Sequence, residues 1–118
     1  RSTLSSSSAA SDVYKRQIFK GVKMKTYLIA HIEVTNPELM AKYREQVPSI
    51  VEKYNGKYLV RGGDSKIIEG DYFKHRIVVL EFPDRKSADD FYTSEDYAPI
   101  KELRLQAGNN SSVLVEGI

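Results

Sequence analysis

The sequence predicts an α+β fold built on one four-stranded antiparallel sheet. Three observations carry this. Several short runs are rich in β-branched and aromatic residues. Two longer stretches repeat apolar residues at helical spacing behind capping signals. Gly, Asn and Pro punctuate the boundaries between them.

Thr26–Val34 (TYLIAHIEV) is nearly apolar on both faces, as a central strand would be. Tyr27, Ile29, His31 and Glu33 share one face; Leu28, Ala30, Ile32 and Val34 share the other. Asn36-Pro37-Glu38 reads as a helix start, with an N-cap, a first-position proline and an acid in the first turn. Leu39, Met40, Tyr43, Val47, Ile50, Val51 and Tyr54 follow at helical spacing, and Asn55-Gly56 closes the helix. Pro48 interrupts this pattern and should kink the helix or end it one backbone bond early.

Lys57–Arg61 is a second strand, and Ser65 to Glu69 is expected to continue it. The intervening Gly62-Gly63 points to a bulge or a close backbone approach. Gly70-Asp71 is a turn, and His75–Phe82 (HRIVVLEF) a third, central strand. Pro83-Asp84 opens a short helix to about Tyr92. Ser94-Glu95-Asp96 caps another running to Ala107, with Pro99 distorting its first turns. Gly108-Asn109-Asn110 ends that helix, and Ser112–Glu116 is the last strand.

The order is β-α-β-β-α-β with the second helix in two pieces, the split βαβ or ferredoxin-like pattern. Short, right-handed connections leave the antiparallel sheet order 4-1-3-2. Helices cover one sheet face. The other keeps apolar residues and is expected to bury them against a second copy of the chain, giving a homodimer.

Composition narrows the chemistry. The 118 residues contain no cysteine, so disulfides, thiol nucleophiles and zinc–thiolate sites are excluded. The chain holds 18 basic and 16 acidic residues, but Arg1, Lys15, Arg16, Lys20 and Lys23 fall within residues 1–23, where Asp12 is the one acid. Residues 24–118 therefore carry a net charge of −2, with bases and acids interspersed, and no nucleic-acid partner is expected. No phosphate loop, nucleotide fingerprint or nucleophile elbow occurs, and no cofactor or metal is expected. No stretch approaches the roughly 18 apolar residues of a membrane span, and residues 1–23 lack the apolar run of a secretory signal. The expected location is cytoplasmic, with no membrane partner.

Residues 1–23 are expected to form a disordered, Ser-rich leader, with the folded domain spanning 24–118. Ser11-Asp-Val-Tyr-Lys-Arg-Gln17 is similar to translated sequencing-adapter read-through, which would make residues 1–17 non-native. The competing reading is a genuine Ser-rich tail.

Among candidate site residues, Arg61 stands first. It lies in an otherwise apolar strand beside two glycines, and a guanidinium binds a carboxylate through a two-pronged fork. The structural alternative is an ion pair with Glu81, itself a candidate ligand contact, if the hairpin turns near residues 70–74. His31 and Glu33, two apart on one strand face, could form an acid–base pair, with His31 the catalytic candidate. The alternative is a partly buried histidine near a dimer interface. In the expected register His31 approaches the start of the third strand and Arg61 its end, which would keep them in separate sites. Tyr43 lies on the apolar helical stripe, as core or as ligand contact. Tyr97 and Arg104, seven apart on one helix face with Ile100 between, could roof a pocket, or the arginine stem could simply cover apolar surface.

Three segments carry a family resemblance. They are HIEVTNPELMAKYREQVPSIVEKYNGKYLVRGG (31–63), VVLEFPDRKSADDFYTSEDYAPIKELR (78–104) and VLVEG (113–117), with YLVRGG, EFP and FYTSEDY the most specific pieces. The chain resembles the domain-of-unknown-function family 1330, within the dimeric α/β-barrel superfamily. The resemblance implies that fold and a pairing of two chains. It implies no reaction: the superfamily includes small monooxygenases, isomerase-like and heme-degrading enzymes, and proteins without known catalysis, many holding a ligand between sheet and helices. The expectation is therefore a dimeric protein that binds or converts a small, anionic organic molecule in that space without a cofactor. The alternative is a non-catalytic homodimeric module.

Overall fold

The computed structural model describes residues 24–71 and 75–118. The reading of the Ser-rich leader lies outside these residues. Strands β1 (Thr26–Val34), β2 (Lys57–Arg61), β3 (Arg76–Phe82) and β4 (Gly108–Glu116) form one antiparallel sheet in the order β2-β3-β1-β4. This is the expected 4-1-3-2 order read from the other edge. Helices α1 (Pro37–Lys53), α2 (Arg85–Tyr92) and α3 (Ala98–Gln106) cover one face.

Local chemistry sets the boundaries. The Asn36 side chain accepts from Leu39 N and Pro37 takes the first turn, where its missing N–H is not needed. Asn55, at φ 65°, ends α1 in the left-handed region that asparagine tolerates. Asp84 caps α2 by accepting from Ser87 N at 2.7 Å. Ser94 instead caps a turn, its Oγ accepting from Tyr97 N, and α3 begins only at Ala98, with Pro99 in its first turn.

Alternation along β1 sorts the residues. Leu28, Ala30 and Ile32 are buried beneath the helices, while Tyr27, Ile29, His31 and Glu33 face the opposite side. Met40, Val47, Ile50 and Val51 of α1 are buried on the sheet. Phe82, Phe91 and Tyr97 stack beside them, with ring centroids 5.4 and 4.4 Å apart along the series. Each of these large side chains contributes about 1.5–3 kcal/mol by leaving water.

Three expectations change. β2 stops at Arg61, and residues 63–68 belong to neither helix nor strand, because Gly62 at φ 70° turns the chain out of the ladder. β4 starts at Gly108, so Gly108–Asn110 belong to the sheet, pairing with Val34, Glu33 and Ile32. A Cβ at 108 would run into the Glu33 carbonyl, so the ladder begins on a glycine. Pro48 leaves α1 continuous through Lys53 and removes one bond: it has no N–H for the carbonyl of Arg44 four residues earlier.

Candidate functional site

Between α1, α3 and the sheet lies a cleft of about 510 Å³, open mouth included. The centres of water-sized molecules range over about 30 Å³ of it. That enclosed part holds about two water molecules, and the rest of the space lies open at the mouth. The space exists because the sheet row beneath it, Arg61–Val78–Ala30–Ser112, carries small side chains at its last two positions.

Its charge is one-sided. Residues 24–118 contain five arginines, and four of them, Arg44, Arg61, Arg76 and Arg104, line the cleft. No Asp or Glu among the described residues does, although residues 24–118 carry a net −2. Among the described residues none of the four forms an ion pair; the fifth, Arg85, pairs with Asp89 on α2.

Arg44 and Arg61 are exposed at the mouth. Arg61 rests 4.5 Å over the Tyr58 ring and its Nη2 donates to the Arg44 carbonyl at 3.4 Å, the acceptor that Pro48 leaves free. Arg76 enters from β3, half-buried. Its Nε is buried without a hydrogen-bond partner among the described residues. Burial, then the Arg44 and Arg61 charges, push Arg76 below the usual arginine range. A Cβ at Gly62 would collide with the Arg76 guanidinium, so the glycine admits that side chain as well as supplying the positive φ.

The inner end is a chain of hydroxyls. Arg104, buried, donates from Nε to Tyr97 Oη (3.2 Å) and from Nη1 to Asn110 Oδ1 (3.0 Å), with Tyr92 Oη 3.5 Å from Nη2. Tyr97 Oη lies 2.9 Å from Tyr43 Oη. Burial first, then Tyr97, raises Tyr43 well above the usual phenol range, so it remains a neutral hydroxyl.

The fold brings together four of the sequence candidates, Arg61, Tyr43, Tyr97 and Arg104, and leaves two outside. Glu81 is not beside Arg61. A bulge between Tyr58 and Val60 and the departure of the chain at Gly62 set the register, pairing Arg61 with Val78 and Glu81 with Lys57. Glu81 accepts from Tyr27 Oη and sits near Lys25 and Lys57, outside the cleft lining. Arg61 also lies at the start of β3, not its end. His31, paired with Ile77, is one row away, so proximity along the strand does not separate the two. They are separated because His31 projects from the opposite sheet face. Arg44 and Arg76 escaped the sequence reading. The available signal was that Arg76 opens the strand RIVVLEF and that Arg44 stands four residues before a proline inside a helix.

The model of a family described as Domain of unknown function (DUF1330) matches residues 25–118. The chain belongs to this family. No curated protein matches it. Solved structures that resemble it include a protein of unknown function from Rhodopseudomonas palustris, 14% identical, covering 87% of this chain and 93% of that one, TM-score 0.65. A dimeric ferredoxin-like protein of unknown function from Jannaschia sp. CCS1 is 12% identical, covering 79% and 99%, TM-score 0.57. The cofactor-independent oxygenase SnoaB from Streptomyces nogalater is 7% identical, covering 80% and 94%, TM-score 0.57. At these identities the likeness is one of fold. Among the described residues, no helix of this DUF1330 protein is long and apolar enough to cross a membrane.

Proposed function

We propose that this DUF1330 protein binds a small anionic organic molecule in the sheet–helix cleft, as a homodimer joined through the open sheet face and with no cofactor. The observation that carries the reading is the convergence of Arg44, Arg61 and Arg76 with no carboxylate lining the cleft among the described residues. Like charges held together without a counter-charge, one with a buried unsatisfied donor, are stabilised by an anion that supplies the missing acceptor. Arg61 and Arg44, exposed at the mouth, meet the ligand first; Arg76 completes the cradle.

The dimer rests on a second observation. On the open face Val60, Val79, Ile29 and Val113 form one apolar row across all four strands, and Val60, Val113 and Val115 are well exposed. Dimeric proteins among the structural neighbours support the same reading.

A binding module is favoured over an enzyme by the cleft's lack of a proton acceptor: among the described residues neither a carboxylate nor a histidine lines it, and Tyr43 is held neutral. The test is a thermal-shift series with small carboxylates on wild type and Arg61→Ala, which leaves the core intact. Benzoate should raise the wild-type midpoint and lose most of that effect in the variant. An undiminished effect would remove Arg61 from the site.

A further inference from the structure

The cleft differs chemically at its two ends, and this deepens the anion-binding reading, on which it rests. The mouth, over β2 and β3, offers guanidiniums. The inner end, over β1 and β4, offers Tyr43 at the tip of a hydroxyl chain backed by Arg104. Between them the floor is apolar: Val78 and Ala30, with Leu80 and Leu28 in the next row. Arg61 and Asn110, the residue that anchors Arg104, lie on strands three spacings apart, roughly 14 Å. Side chains reach inward from both ends.

The direction of the hydroxyl chain follows from its donors. Arg104 can only donate, so Tyr97 Oη accepts its Nε–H. Either hydroxyl can donate across the Tyr97–Tyr43 contact; a hydroxyl that accepts from a cation is the stronger donor, which favours Tyr97 giving its hydrogen to Tyr43 Oη. Tyr43 then has a hydrogen left over, and it lines the cleft. Burial keeps that hydrogen in place. The inner end thus presents a hydrogen-bond donor to an oxygen, within the field of a buried positive charge that has no carboxylate partner among the described residues.

We infer that the cleft selects a planar carboxylate bearing a second, weakly acidic oxygen at its far end, a phenol or an enol, and holds that oxygen in its anionic form. The carboxylate sits among Arg44, Arg61 and Arg76, the ring or conjugated carbons over Val78 and Ala30, and the far oxygen accepts from Tyr43. No bond to carbon is broken: the proton leaves to solvent, and the protein favours the dianion because, among the described residues, every charged group lining the cleft is positive.

Two titrations test this on the full chain. Benzoate and 4-hydroxybenzoate are compared by calorimetry on wild type and Tyr43→Phe. The hydroxylated acid should bind about tenfold tighter to wild type. Tyr43→Phe should erase that difference, and a difference that survives it overturns the inference. Separately, 4-hydroxy-3-nitrobenzoate is titrated in absorbance with saturating wild-type protein, and its phenol should ionise about 1 pH unit lower when bound. Equal affinities of wild type for the two benzoates, or an unshifted nitrophenol, overturn the inference and leave the anion site standing. Failure of both benzoates to bind overturns the anion site and the inference together. The nitrophenol titration needs no variant, so a Tyr43→Phe protein that fails to fold does not protect the claim.

Discussion

The Arg61 guanidinium donates to the backbone carbonyl of Arg44, and that carbonyl is available because Pro48 cannot bond to it. A helix interior proline, ordinarily a defect, here creates an acceptor on the cleft-facing side of α1. It fixes an exposed arginine where an anion would meet it.

Pro48→Ala should therefore act in two directions. Restoring the N–H mends α1, and part of that gain is offset by a freer unfolded chain. The net is about 1 kcal/mol of added stability, a midpoint rise of roughly 4–8 °C. Arg61 loses its carbonyl, and benzoate should bind several-fold more weakly. Calorimetric unfolding and titration of the same variant read both effects.

Gly62→Ala should damage fold and site together. The left-handed backbone at 62 disfavours any L side chain, and the new methyl meets the Arg76 guanidinium. A loss of about 1–2 kcal/mol in denaturant unfolding is expected, with benzoate binding abolished because Arg76 is displaced.

Arg76→Met should separate stability from binding. In the free protein Arg76 is opposed by burial and by two like charges, and an apolar side chain of similar length relieves both. The gain is held to about 1 kcal/mol by solvent screening of the half-buried group. The variant should unfold at higher denaturant than wild type yet show no midpoint rise with benzoate. A variant less stable than wild type without ligand would contradict the charge-strain account.

Alkaline pH reports on Tyr43. Its folded pKa lies above the unfolded value of 10.0, so the folded state retains a proton that the unfolded state releases. Stability from this group is fully present below about pH 10 and declines as pH rises beyond it. Tyr43→Phe should flatten the decline between pH 10 and 11, measured by urea unfolding.

Val113→Lys places a charge in the apolar row of the open face, away from the cleft. Sedimentation at micromolar concentration should give the mass of two chains for wild type and of one for the variant. A single-chain mass for wild type would refute the dimer.

Much of the fold is legible in the sequence because its signals are local. The Asn36-Pro37 start, the Asn55-Gly56 stop and the alternation of Thr26–Val34 each depend on a few adjacent residues. The site is less legible because it depends on register and on groups far apart in the chain. The hairpin register pairs Glu81 with Lys57 and not Arg61, the bulge at Leu59 puts Arg61 in the Val78 row, and nothing in KYLVRGG announces where the extra residue falls. Tyr97 and Arg104 could be paired from their seven-residue spacing. The third member, Tyr43, lies 54 residues from Tyr97 and joins them only through packing of α1 on α3. Arg44 and Arg76 read as ordinary surface charges until the fold shows that they share a cavity that no carboxylate lines among the described residues.

The alternation along β1 has one more consequence. Ala30 forms the cleft floor, while its immediate neighbours Ile29 and His31 belong to the opposite surface, so one peptide plane is the entire wall between the two. The two surfaces cannot be edited independently by length. One residue inserted between Thr26 and Ala30 would turn the outward row inward from that point on, putting bulky Ile29 or His31 where Ala30 leaves space. Point substitutions can tune either surface alone; an insertion or deletion in this strand rewrites both at once.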